Sequence, residues 1–454
     1  MAEKKLGMTE GPIGPLLLRF ALPLFLGNLF QQLYNAVDSL VVGNFCGVAA
    51  VSGVCSSASL CHQLFGFFQG SFIGSCGGIS RYWGAGDRER ADKAIHTTVV
   101  FSLCIGTLLS VFGVVFTPTI LRWMGTPENV LPNSIVYFRF YCAGLLGLVL
   151  YNTANGIFQA LGDSRHPLYY LMIAAALNAA LDLLFVGAFD WGVAGAALAT
   201  VLGQVLSAML GFARLMSGKF PLPIRLQKLL PDRVILAEVF RLGLPSGVQN
   251  CVINIANVVV QSNINAFHDN AVAGCGSYSK IEGFVFLPIT SLTLAITTFV
   301  SQNLGAKQYD RVKAGAKQGA VMTVALSEVG GIAFFVFAPV LIGLFSKTPE
   351  VVAFGVRQAR VESLFYCFLG FSHAAASILR GAGHAVTPMA VMLAVWCLFR
   401  ITYITIMVRV FQDITVIFTA YPVTWSISSI LFAVALWRGD WLHSKGEKIS
   451  QKAS

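Results

Sequence analysis

Charge is scarce in this chain. Only 11% of its 454 residues are Asp, Glu, Lys or Arg, whereas a soluble globular domain carries roughly 25%. With 56% hydrophobic residues and a mean hydropathy of +0.71, the chain has too little polar surface to cover itself in water. Its apolar surface must face lipid. Acids are scarcest, 21 against 31 basic residues, for a net charge of +10. That excess does not point to a nucleic-acid partner, because the basic residues sit in short loops between apolar runs. Catalytic signatures are missing as well. No HExxH, GxSxG or paired His/Asp motif supports an enzyme. The ten cysteines are scattered singly, as at Cys104, Cys142 and Cys397, with no metal spacing, so no metal or cofactor is expected. Met1 to Glu10 is charged and polar, so no cleavable signal peptide is expected and the first apolar run serves as its own insertion signal.

What is present is a series of long apolar runs. They predict spans at 14–43, 48–80, 92–120, 131–160, 167–189, 192–216, 235–266, 271–302, 312–345, 350–379, 386–410 and 414–438. The expected fold is all-α integral membrane with twelve transmembrane helices. Lys and Arg gather after even-numbered spans, as in Arg81, Arg88, Arg90 and Lys93, or Lys307, Arg311, Lys313 and Lys317. The other loops hold almost none, Arg122 and Lys347 excepted. That alternation places both termini in the cytoplasm of a multi-pass cell-membrane protein.

The chain also repeats itself at an offset of 221–222. Arg19–Pro23 (RFALP) returns as Arg241–Pro245 (RLGLP), and Gly84-Ala85 as Gly305-Ala306. Thr126-Pro127-Glu128 returns as Thr348-Pro349-Glu350, and Gln159–Gly162 with Pro167 as Arg380–Gly383 with Pro388. Each repeat holds six spans, so both halves enter from the same side, a parallel repeat. The expected organisation is a six-helix bundle over 1–216, a basic proline-bearing cytoplasmic linker over 217–233, and a second bundle over 234–454. Two-lobed membrane proteins of this symmetry are mostly transporters, an analogy at the level of fold.

Polar residues inside the spans are the candidates for function. Asn28, Gln32, Asn35 and Asp38 share one face of the first span, and Asn250, Asn254, Asn257 and Gln261 one face of the seventh. Two equivalent stripes suggest the lining of a substrate cavity; amide hydrogen bonds between helices are the other reading. The acids break the repeat. Asp38 corresponds to Val260 and Asp182 to Tyr403, with Asn178 one turn before Asp182. Two mid-span carboxylates cannot both be charged cheaply, so one holds a proton or both share a cation; a structural hydrogen-bonded pair is the alternative. Glu282, in YSKIEGF, is either a second proton or substrate carboxylate or a residue near the membrane surface. Glu328 and Glu362 lack a polar face around them, and Arg400 is a candidate partner for one of them. His62 and His373 stand alone.

The segments PLFLGNLFQQLYNAVDSLVVG, YWGAGDRERA, FQALGDSRHP, LNAALDLLFV and GVAGAALATVLGQ resemble the multidrug and toxic compound extrusion (MATE) family over about residues 12–440. The resemblance implies two six-helix bundles, alternating access, and export of small-molecule drugs or toxins coupled to H⁺ or Na⁺ entry. The acidic mid-span charge favours lipophilic cations among those substrates. The resemblance also implies a monomer. Carried over by motif from the DinF-like branch, an ion-coupling site falls on Asp38, Asn178, Asp182 and Thr200, with the carbonyl of Ala196 beside it; Na⁺ would sit at Asp38, Asn178 and Asp182. Two departures stand out. The glutamate that the NorM-like branch carries in span 7 is absent near Asn254, and Leu183 stands where a proline usually follows the span 5 aspartate. A lipid-linked-sugar flippase of the same superfamily is the alternative, disfavoured by the acidic mid-span charge.

Overall fold

Helix is the one regular structure among the described residues, which is what lipid requires of a chain that must satisfy its backbone internally. The computed structural model describes residues 7–45, 66–67, 76–123, 126, 128 and 131–442, with the side chains of 34–45 and 133 outside the described set. The first half holds α1 (Ile13–Phe45), α2 (76–84), α3 (Arg88–Trp123), α4 (Leu131–Ala143), α5 (Leu145–Ala160), α6 (Arg165–Asp182) and α7 (Gly192–Met216). The second holds α8 (Arg233–Ile264), α9 (Asp269–Gly305), α10 (Tyr309–Gly343), α11 (Pro349–Glu362), α12 (Tyr366–Gly381), α13 (Val386–Met392), α14 (Arg400–Phe411) and α15 (Thr415–Arg438). Leu183–Ala188 extends α6 as a π-helical segment, and Leu393–Phe399 joins α13 to α14 in the same form. Among the described residues nine helical runs are long and apolar enough to cross a bilayer, and the bent α4–α5 pair makes a tenth. The 32-residue α8 is not among them, because its charged first turns and amide stripe dilute the apolar face. The expected span at 48–80 lies largely outside the described residues.

The repeat recurs as backbone geometry. Gly86 and Lys307 both have positive φ, as do Gly162 and Gly383, and Asp190 and Gln412. The members of each pair are separated by the offset of the sequence repeat. The breaks in the long fourth spans match too. α4 and α5 meet at Gly144 with a 46° bend. At the equivalent place in the second half, Ser363–Phe365 forms a single tight turn between α11 and α12. The first break is set by packing: a Cβ on Gly144 would lie 2.4 Å from Val201 of α7. In the second, Glu328 of α10 accepts the Cys367 backbone N–H at 2.9 Å, which satisfies an orphan donor in the first turn of α12.

Packing divides the chain into two compact units, and the division does not follow the linker. One unit contains Leu26–Gly247; the other contains Met8–Phe25 and Val248 onward. The cuts fall two residues after Pro23 in α1 and Pro245 in α8, where a proline removes a backbone donor and weakens the helix. In the first unit, the start of α8 lays Ile235 and Val239 on Ile79 and Trp83, and Tyr82 donates to Glu238 at 2.6 Å. In the second, the start of α1 lays Leu17, Phe20 and Leu24 on Leu292, Ile296 and Phe299. Met8 is fixed there, its N–H donating to Gln302 at 2.7 Å and its carbonyl accepting from Asn303 at 3.0 Å. The linker is packed as well. Phe220, Leu222 and Ile224 are buried, the Arg225 N–H meets His96 Nε2 at 3.0 Å, and Lys228 pairs with Asp92.

Candidate functional site

In the first unit the polar residues of α6 and α7 face one another. Asn178 and Asp182 are one turn apart on α6, 2% and 0% exposed, and Thr200 on α7 is 9% exposed. Thr200 donates to the Ala196 carbonyl at 3.1 Å, so the two residues the resemblance paired are bonded to each other within α7. The helices approach closely because Gly203 has no side chain: a Cβ there would lie 3.3 Å from both the Ala174 carbonyl oxygen and Asn178 Cβ. Beyond Asp182 the α-helical bonding gives way to the π segment that opens on Leu183. The helix is thus loosened directly after the carboxylate without the expected proline; π turns of this kind often sit at functional sites.

A cavity of about 40 Å³ lies between these helices, lined by Gln31, Tyr151, Asn178, Thr200, Gln204 and Ser207 among others. Both side-chain polar atoms of Asn178, and the Ser207 hydroxyl, are buried without a hydrogen-bond partner among the described residues. Buried amides are seldom left so. A space of this size holds a water or two or a small ion, far short of the roughly 300–1,000 Å³ of a drug-sized site. Sequence reasoning missed Gln31, Gln204 and Ser207. The signal was present on α7, where Thr200, Gln204 and Ser207 are spaced four and three apart. The side chains of Asp38 and Asn35, on α1, lie outside the described set. Asn28 and Gln32 are half-buried on α1.

The second unit brings together acids that the sequence kept apart. Tyr278 and Glu282 on α9, Gln358 and Glu362 on α11, and Tyr366 at the start of α12 form one cluster. The Tyr278 hydroxyl lies 3.1 Å from Glu282 Oε1, 2.9 Å from Glu362 Oε2 and 2.9 Å from the Tyr366 hydroxyl. Tyr366 reaches Glu282 at 3.4 Å, and Gln358 donates to Glu362 at 2.9 Å. Two phenolic hydrogens therefore serve four oxygen–oxygen contacts. Glu362, a weak candidate by sequence, is fully buried at the centre of the cluster.

Other candidates are placed differently from expectation. Arg400 makes no ion pair with Glu328 or Glu362 within 4.0 Å among the described residues. It donates to Thr424 at 2.8 Å and lies 4.4 Å from the Tyr421 ring centroid. Glu328 is taken up by the α12 terminus instead. Helix geometry explains both outcomes: a carboxylate beside an orphan N–H, and a guanidinium between a hydroxyl and a π face, are already satisfied. His373 sits edge-on between Phe286 and Trp396, a packing residue; His62 lies outside the described residues. On α8, Asn250 and Asn254 are half-buried while Asn257 and Gln261 are exposed, and Gln261 bonds Asn265 at 2.8 Å.

A helical, multi-pass membrane protein with carboxylates buried in its spans has the frame of a transporter. The MatE family profile matches the chain twice, at residues 23–184 and 245–406, and the chain belongs to that family. The second match is displaced from the first by the offset of the repeat at both ends. As a member it is a membrane transporter and not an enzyme. Among its relatives is a probable multidrug resistance protein, YoeA, of Bacillus subtilis, 29% identical over 426 residues and 91% of each chain. YpnP of the same organism, also a probable multidrug resistance protein, is 28% identical over 87% of this chain and 88% of its own. An outward-facing multidrug resistance MATE family transporter of the MOP superfamily superposes with a TM-score of 0.91 at 22% identity, covering 98% of this chain and all of its own.

Proposed function

We propose that this protein is a secondary active multidrug exporter of the cytoplasmic membrane, exchanging lipophilic, cationic small molecules for H⁺ or Na⁺ by alternating access. The observation that carries this reading is the Asn178–Asp182–Thr200 group: a buried acid one turn from an unpaired amide, with the amide and Thr200 lining a cavity sized for an ion. The multidrug character is taken from the names of the relatives that match along nearly the whole chain. Asp182 is the charge carrier, with Asp38 as its partner carboxylate. Asn178 and Thr200 supply neutral oxygens, suited to Na⁺ or to a hydrogen bond from a protonated acid. Ion binding changes the charge of the first unit, and Pro23 and Pro245 are the places where α1 and α8 yield.

The Glu282–Glu362 cluster supports a second position for the coupling proton, within the other unit. Transport of ethidium in proteoliposomes, with pH and sodium gradients imposed separately, tests the whole reading. Uphill ethidium movement driven by one gradient is the expected result. No movement of any dye in a broad panel, together with translocation of a lipid-linked sugar, establishes the flippase instead. Loss of coupling in Glu362→Gln with retention in Asp182→Asn moves the ion site to the second unit.

A further inference from the structure

A long groove runs along the outer face of the second unit, between α10, α12 and α15. It encloses about 550 Å³ and is lined by Ala316, Ala320, Val321, Val324, Phe371 and Leu436, with Trp441 at one end. The same end holds Lys313 and Lys317, one turn apart and both exposed. Neither lysine has an acidic partner within 4.0 Å among the described residues, although like charges four residues apart on a helix repel. From Lys313 to Ala325 the groove follows α10 for twelve residues, about 18 Å. The hydrocarbon layer of one leaflet is about 15 Å deep. Trp441 shares the lining with the lysines, and such rings settle at the headgroup boundary.

We propose that this groove is a binding site for an anionic diacyl phospholipid. One acyl chain lies along α10 between α12 and α15, and the phosphate is held by Lys313 and Lys317. The pattern combines two requirements that no soluble anion meets: two cations without an acidic partner among the described residues, and an apolar channel one leaflet long beside them. A lipophilic cation, the proposed cargo, is repelled by the lysines, so the groove is separate from the transport site. Basic pockets between transmembrane helices recognise anionic headgroups by this arrangement.

The test is native mass spectrometry of the purified full chain, incubated with phosphatidylglycerol or with phosphatidylcholine of the same acyl composition. One phosphatidylglycerol is expected to remain bound at activation energies that strip phosphatidylcholine. In K313Q/K317Q that retention falls about thirtyfold, since each lysine contributes to anionic-lipid attraction, while K313R/K317R keeps it. Ala325→Phe, at an exposed position, fills the groove and removes the adduct with both lysines present. The thermal unfolding midpoint reports that each variant is folded, and the two lysine variants decide the matter if the Phe variant is not. The proposal is overturned by equal retention of the two lipids, by an undiminished adduct in K313Q/K317Q, by displacement with millimolar inorganic phosphate, or by a dimer of the chain in place of the lipid adduct.

Discussion

Asp182 and Asn178 stand one turn apart on α6, and both are buried, 0% and 2% exposed. Asp182→Asn keeps the shape and removes the titrating group. It is expected to abolish gradient-driven efflux in proteoliposomes while substrate binding, read by fluorescence quenching, stays measurable. Tyr403→Phe, at the repeat-equivalent position, costs little. Wild-type pumping by Asp182→Asn rejects the role. A second residue-level prediction concerns Asp163, in the turn before α6. Burial alone would raise its carboxyl, but the His166 side chain and the backbone N–H groups of Arg165 and His166 hold it below the usual carboxylate range. A carboxylate so depressed stabilises the fold above its unfolded value of about 3.9 and loses that contribution as pH falls through the lower folded value. Asp163→Ala is therefore expected to destabilise by about 1 kcal/mol at neutral pH, the worth of a helix-terminal cap. The difference from wild type should shrink when unfolding is followed at a pH below about 3.9; a difference that does not change with pH rejects the charge argument. Asp182 of α6 was legible because a charged group inside an apolar run is costly and conspicuous. Glu362 was not, because its partners Tyr278 and Glu282 belong to α9, far earlier in the chain, and only packing brings them together.

At the scale of the element, the break between α11 and α12 is held against backbone of the neighbouring helix. A Cβ on Gly331 of α10 would lie 2.2 Å from the Ser363 carbonyl oxygen, and Glu328, one turn earlier, holds the Cys367 N–H. Backbone cannot move aside as a side chain does. Gly331→Ala is expected to cost roughly 1–3 kcal/mol or more, the usual scale of overpacking, and to lower the unfolding midpoint in detergent. Gly343→Ala, where nothing lies within 4 Å of the added methyl, serves as the control. Equal midpoints for the two variants contradict the packing account. Helix positions were readable from apolar run length alone. The breaks were not, since no proline marks Gly144 or Ser363–Phe365, and both arise from what the neighbouring helix presses against them.

For the whole molecule, the loop charges give an orientation that can be checked directly. A cysteine placed at Gly218 in an otherwise cysteine-free chain is expected to resist a membrane-impermeant maleimide in intact cells and to react once they are permeabilised. A cysteine at Gly43 should behave in the opposite way. Labelling of the Gly218 position from outside inverts the topology. The repeat was fully legible, since the family profile and the positive-φ turns recur at the same offset that four sequence matches had set. The membership of the two compact units was not. Residues Met8–Phe25 belong with the second unit and those before Pro245 with the first, although chain order places each with the opposite half.

The sequence by itself determined that this is a helical, duplicated membrane protein with acids buried in its spans. Hydropathy, repetition and the cost of a charge in lipid are local properties, and each can be read from a short stretch of chain. Tertiary structure alone decided which polar groups meet. Asn178 faces Thr200 across Gly203, Glu282 shares Tyr278 with Glu362, and Arg400 turns from the acids to Thr424. Those choices depend on the approach of helices far apart in the chain, set by the volumes of glycines and aliphatic side chains between them, and no spacing along one helix encodes them.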